Sequence, residues 1–426
     1  MKLAPRRDYG NNKKSPSSCA NARLPENVPI LGLGCSSFST FFLSEEELRQ
    51  VIPPVEDWNN PPRDHPLVQQ WVETIIHAVL DCGINLLDTA PWYGHGSSEI
   101  VIGYAMEKLL NSHPTSIERS QIIINTKVGR YEGSPDKMFD YSAKRVLESV
   151  QTSLMRMKCG GYIDLLQLHD PEYSPSMDLL VDVTIPEMAK LRDQGFVKAI
   201  GMTGYPLEVQ WELMERSRKE HNILFDQCLT YCHYNLHDQS LFTPKFPSEN
   251  RYKISFESYC DKHNIGLTVA APLSMGLLTQ KGPPAWHPAS LDLKEACCNA
   301  VKLCNENSLD ISELALLFAF GQERIPCTIL GMKNVNEVDR AMTIACRFHN
   351  RAYDRSTPSI DQVLSPKEKY VLAKLLNQDI GPFSAVFKSG NFQWDGMECA
   401  KQFWAEIPGG KEPASTRMLL KKKMTL

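Results

Sequence analysis

The 426-residue chain carries 46 Lys and Arg against 50 Asp and Glu, a formal charge of -4, with 42% hydrophobic and 23% charged residues. That balance provides no broad basic field for nucleic acid or anionic lipid, and it is the composition of a folded globular protein rather than a disordered one. No apolar run approaches the roughly 20 residues that cross a bilayer, and Met1 to Arg23 lacks the apolar segment of a secretory signal, so a soluble, cytoplasmic protein is expected.

Residues 1–27, rich in Lys, Arg, Asn, Ser and Pro, read as a flexible leader. From Ile30 onward, short apolar and β-branched segments recur: ILGLGCS from Ile30, INLLDTA from Ile84, IIINTKVG from Ile122, IDLLQLHD from Ile163, VKAIGMTG from Val197, LFDQCLTY from Leu224, IGLTVAAPL from Ile265 and IPCTILGM from Ile325. Near-continuous apolar runs suit strands buried on both faces of a parallel sheet. Between them lie stretches of helical spacing, such as Val146, Val150, Leu154 and Met157, or Ile185, Met188, Ala189 and Leu191. Two stretches exceed this alternation. Ser44 to Pro66, with five prolines, reads as a long loop after the first strand, and 351–426 reads as an extension in which SPKEKYVLAKLLNQ is helical and Trp394, Phe392 and Trp404 argue for docking. Lys421, Lys422 and Lys423 read as a solvated tail.

The 13 cysteines lie mostly in apolar stretches and lack the paired CxxC spacing of a structural zinc site, so they read as reduced thiols and no metal is expected. Cys228, Cys232 and His233 have an unusual spacing for a metal site and are assigned to packing.

Eight strand–helix units predict an α/β fold, a closed (β/α)8 TIM barrel over 28–350. A doubly wound open sheet is the alternative, weakened because no GxGxxG follows an early strand. In a TIM barrel the chemistry sits at the C-terminal ends of the strands. The polar residues there are Asp88, Lys127, His169, Asp170 and Thr203, with Tyr93 in the loop five residues beyond Asp88. Alone, each has a plain structural explanation, an ion pair or a packed ring. An Asp, a Tyr, a Lys and a His from neighbouring strand ends can converge on one point only if the barrel closes.

GINLLDTAPWYGHGSSEIVIG, INTKVG and LLQLHD resemble the aldo-keto reductase family, whose Asp, Tyr, Lys and His match Asp88, Tyr93, Lys127 and His169. KVGRY, MFDYSA, HDPEY, MTGYPL and PLSMGLLT are similar to the branch of aldose 1-dehydrogenases acting on D-arabinose or L-galactose. The resemblance implies hydride transfer to a nicotinamide cofactor, with Tyr93 as acid/base, its pKa lowered by Lys127, and with His169 orienting the reacting oxygen. It also implies cofactor contacts from Thr203, Gly204 (where many members have Asn), Gln227 to the carboxamide, Pro272, Leu273 and Ser274 along the pyrophosphate, and Gly331, Lys333 and Glu337 at the adenosine end.

The acidic Glu337 stands where members resembling NADP users often have Arg, so NAD is expected over NADP, with Lys333 and Arg340 as counterweights. The reading is an NAD(P)-dependent oxidation of an aldose at C1 to its lactone by a monomer or weak dimer. An NADPH-dependent aldehyde or ketone reductase and a nicotinamide-binding regulatory subunit are the alternatives.

Overall fold

The computed structural model describes residues 3–9, 23–43, 46, 51, 54–111, 117–248, 252–349 and 359–406. Two short strands, β1 (Arg6–Asp8) and β2 (Asn27–Pro29), pair antiparallel ahead of the main sheet. The eight expected segments then supply β3 (Leu31–Gly34), β4 (Leu86–Asp88), β5 (Ile123–Val128), β6 (Ile163–His169), β7 (Val197–Gly204) and β8 (Gln227–Tyr231). After a minor two-stranded ribbon of β9 (Phe246–Pro247) and β10 (Lys253–Ile254), β11 (Gly266–Ala270) and β12 (Cys327–Gly331) complete the set. β3 to β8, β11 and β12 close into one parallel barrel, β12 pairing with β3.

Strand register decides which residues reach the mouth. β6 and β7 place His169 opposite Thr203, and β7 and β8 place Thr203 opposite Leu229. Alternation does the rest: on β5, Asn125 and Lys127 share one face, while the intervening Thr126 donates to Glu99 on the surrounding helix Ser97–Asn111 at 2.8 Å. The helix Ala143–Met157 shows how the outer layer forms. Ser142 caps it, Val146, Val150 and Met157 are buried, and Lys158 ends it with left-handed backbone at φ 50°.

The leader does not behave as an unpacked segment over residues 3–9. Arg7 is buried and donates to the carbonyls of Phe320, Gln322 (2.8 Å) and Ile325 (2.9 Å), and the Tyr9 hydroxyl pairs with Thr268 Oγ1 at 2.9 Å. Composition hid this because a single arginine and a single tyrosine dock on acceptors supplied by residues hundreds of positions later.

In the extension, helix Pro366–Leu375 has the expected position, starting at a capping box of Ser365 and Glu368 and burying Val371, Leu372 and Leu375. Further on, Trp394 stacks on Tyr205, with ring centres 4.5 Å apart and planes 12° apart, directly after the end of β7. The side chain of Trp404, residues 350–358, Lys421 to Lys423 and parts of the 44–66 loop lie outside the described residues. Among the described residues no helix is long and apolar enough to cross a membrane, and no disulfide forms.

Candidate active site

Asp88 ends β4 and Lys127 lies near the end of β5, the neighbouring strand, and both are almost completely buried. Lys127 Nζ donates to both Asp88 carboxylate oxygens at 3.0 Å and to the Thr89 carbonyl at 2.7 Å. Burial works against the ammonium, but Asp88 holds the Lys127 pKa above its ordinary value. Asn125, which the motif reading passed over, donates its amide to Asp88 Oδ1. A polar residue two positions before Lys127 in an otherwise apolar strand was the available signal.

Tyr93 reaches the pair through a tight turn. Gly94 has φ 59°, and a Cβ there would lie 2.1 Å from Ser97 Oγ, so only glycine fits. Thr89 and Ser98 share a hydrogen bond of 2.8 Å and Ser98 donates to the Cys35 carbonyl, fixing the loop to the end of β3. Lys127 Nζ lies 4.9 Å from the centre of the Tyr93 ring, and His169 stands edge-on to the same ring at 6.1 Å and 89°. The structure brings the four side chains together at one end of the barrel.

Their electrostatics differ from expectation at Tyr93. Burial pushes the phenol up to about 12, and the opposing pull of Lys127 does not bring it below the ordinary tyrosine value. Burial likewise pushes His169 down to about 3, so its imidazole is neutral in the working range. His169 Nδ1 is buried and has no hydrogen-bond partner among the described residues, and Nε2 is 3.8 Å from Asp170, beyond hydrogen-bond range. A neutral imidazole with bonding capacity left over, edge-on to a protonated phenol, can orient and polarise an oxygen placed between them.

Around this centre, Arg130 pairs with Asp170 at 2.7 Å and covers the Trp92 ring at 4.1 Å. Glu172 is buried, pushed up to about 8 by burial with Asp170 beside it, and accepts from the Tyr205 backbone at 3.0 Å. None of these contacts follows from motif spacing. An arginine three residues after Lys127, at the mouth of the barrel, was the only hint.

The cofactor contacts inferred from resemblance divide. Thr203 sits opposite His169, at the level of the centre, and no hydrogen bond to its hydroxyl occurs among the described residues. Gly204 is tight against the protein: a Cβ would stand 2.6 Å from Glu172 Oε2 and 3.0 Å from Pro171 Cδ, which explains why no Asn occupies it. Gln227 is the first residue of β8 and is buried. It pairs in register with Gly201, two residues before the level of Thr203, its Oε1 accepts from Gln167 at 2.7 Å, and it lines a small cavity on the barrel floor beneath Tyr9. Leu229 is the register partner of Thr203.

Ala271, just before Pro272 and Leu273, and Ser274 itself have left-handed backbone, and the Ser274 hydroxyl pairs with His237 at 2.8 Å. Gly331 ends β12, and a Cβ there would make only ordinary van der Waals contact, with Gly34 O at 3.8 Å and Ser37 Cβ at 3.9 Å. Glu337 accepts from the Lys333 backbone at 2.9 Å and from the Asn334 amide, closing the start of helix Val335–Ala345. The residues therefore fit the reactive ring of a nicotinamide through Tyr93, His169 and Thr203. Farther out, Ser274 and Glu337 are engaged within the protein.

The profile of the aldo/keto reductase family matches residues 58–355. The chain belongs to this family. It is 33% identical over 302 residues to L-galactose dehydrogenase of Arabidopsis thaliana, covering 71% of this chain and 86% of the relative. It is 31% identical over 291 residues to D-arabinose 1-dehydrogenase of Saccharomyces cerevisiae, covering 67% and 78%. In fold it is similar to an aldo-keto reductase from Bacillus halodurans in its holo form, at 23% identity and a TM-score of 0.54 over 87% of this chain and 96% of the other. A glycerol dehydrogenase from Gluconobacter oxydans superposes at 20% identity and a TM-score of 0.55 over 83% and 93%. As an aldo/keto reductase the protein is an oxidoreductase of the nicotinamide-dependent type.

Proposed function

We propose that this aldo/keto reductase oxidises an aldose at C1 to the aldonolactone, with NAD preferred over NADP. The observation that carries the reading is the buried Asp88–Lys127 pair beneath Tyr93, with the partnerless His169 nitrogen beside the ring. The sugar class is supported by relatives named for L-galactose and D-arabinose. A nicotinamide held beside Tyr93, His169 and Thr203 would supply the hydride acceptor for C1. Tyr93, as phenolate, accepts the proton of the anomeric hydroxyl and becomes the phenol, Lys127 stabilises the phenolate before that transfer, Asp88 keeps Lys127 charged and in place, and neutral His169 donates to the sugar oxygen. Glu337 accepting ribose hydroxyls requires it to loosen its hold on the helix start, and a 2'-phosphate beside it would be repelled.

The test is steady-state turnover across a panel of aldoses with NAD and NADP, followed at the nicotinamide absorbance. Turnover of D-arabinose or L-galactose with the higher kcat/KM for NAD is expected. No turnover of any aldose, with reduction of aldehydes by NADPH, would select the second reading, carbonyl reduction. One observation favours that alternative: a phenol pushed up to about 12 still holds its proton in the neutral range, the form that carbonyl reduction needs.

A further inference from the structure

Away from the barrel mouth, the helix Pro66–Ile76 continues into a π-helical turn, His77–Asp81. In that turn the Cys82 N–H donates to the His77 carbonyl at 3.2 Å, a five-residue step that brings residues 77 and 82 onto one side. Their side chains meet: Cys82 Sγ lies 3.5 Å from His77 Nε2. Asp339, on helix Val335–Ala345 of the last barrel unit, places Oδ1 2.8 Å from the same nitrogen. One ligand atom from each of His77, Cys82 and Asp339 lies within 4.8 Å of the others. The other ring nitrogen, Nδ1, is held by Asp81 Oδ2 at 2.8 Å.

The geometry points to a zinc-binding site formed by His77 Nε2, Cys82 Sγ and Asp339 Oδ1, with water in the fourth position. Ligands in a tetrahedral zinc site lie about 2.0–2.3 Å from the metal, which sets them roughly 3.3–3.8 Å apart along the tetrahedron edges. The sulfur–nitrogen separation has that value, and the nitrogen–oxygen contact opens by about half an ångström when the shared proton is replaced by the ion. Imidazole, thiolate and carboxylate are the zinc ligand types, and a thiolate selects zinc over calcium or magnesium. Asp81 supplies what a metal-bound histidine requires, a carboxylate on its second nitrogen that fixes the ring and keeps the Nε2 lone pair directed at the metal.

Binding releases the Cys82 thiol proton and any proton on His77 Nε2 to solvent, with no change of oxidation state. Cys82 is buried, whereas the Asp339 side chain is 41% exposed, so the ion enters from the Asp339 side. The site joins the helix before β4 to the helix after β12 and fastens the closing seam of the barrel. It is not part of the hydride-transfer centre.

The experiment is titration of chelator-treated full-length protein with Zn2+ by calorimetry, and with Co2+ by absorbance. A 1:1 event, a thiolate-to-cobalt charge-transfer band in the near ultraviolet and a rise in Tm with Zn2+ are expected. Cys82→Ser should abolish the band. Asp339→Asn, at a half-exposed position that does not threaten folding, should weaken binding at least 10-fold. Asp81→Asn should weaken it about 10- to 100-fold, and His221→Gln, in a separate exposed cluster with Asp182 and Glu220, should leave it unchanged. Absence of a stoichiometric event, or a 1:1 event that Asp339→Asn and Cys82→Ser both leave intact, would overturn the assignment.

Discussion

Tyr93 keeps its proton because burial disfavours the phenolate more than Lys127, 4.9 Å from the ring centre, favours it. Sugar oxidation that begins with phenolate should therefore accelerate about tenfold per pH unit through the neutral and alkaline range, with no plateau below about pH 10. A kcat/KM plateau near pH 7 would show that another group takes the proton. Tyr93→Phe should lower kcat by roughly 100- to 10,000-fold while nucleotide affinity, measured by fluorescence quenching, stays within a factor of about three. Gly204→Asn should cost about 1–3 kcal/mol in chemical unfolding, because the added side chain meets Glu172 and Pro171; wild-type stability of the variant would mean that Glu172 moves freely. The tetrad was legible because it depends on strand ends and one fixed spacing. The buried partners of Gln227 were not legible, because spacing within a strand does not reveal which residue of the next strand it meets.

At the scale of elements, helix periodicity and caps were readable, as in the Ser365 capping box, whereas the partners of each element were not. Trp394 and Tyr205 are 189 positions apart, and nothing local to either marks the stack. The same contact gives the extension a measurable role. Trp394→Ala should lower stability by about 1–3 kcal/mol, and truncation after His349 should lower Tm further by removing the buried Leu375, Phe383 and Val386 and uncovering the surface that they cover. Unchanged melting in both would separate the extension from the barrel. Glu337 belongs at this scale as well as at that of the site. Because its carboxylate bonds the Lys333 backbone at the start of a helix, Glu337→Arg should cost about 0.5–2 kcal/mol while shifting kcat/KM toward NADP. A variant with no shift toward NADP would confine Glu337 to its helix.

For the whole molecule, the eight barrel strands and their alternation with helices could be read from the sequence because parallel strands buried on both faces leave continuous apolar runs. The buried ionisable groups could not, since their pKa values depend on what the closed barrel surrounds. His169 and His237, pushed down to about 3 and about 4, take up protons only on unfolding below pH 6.5, so they lower stability as pH falls from about 6.5 to about 4. Glu172, pushed up to about 8, acts in the other direction: the folded state holds its proton between about pH 4.5 and 8, and stability falls as pH rises through that window. Glu172→Gln should therefore flatten the decline between pH 6.5 and 8, worth about 2 kcal/mol at one proton, in denaturant titrations; an equally steep decline would assign it elsewhere. The docking of Arg7 has a consequence in time. Its carbonyl partner at Ile325 is 318 residues downstream, and at about 5–20 residues per second a ribosome needs roughly 15 to 60 seconds to make that stretch. Throughout synthesis the β1 segment waits with its arginine solvated, and the floor of the barrel is sealed only after almost all of the barrel has emerged.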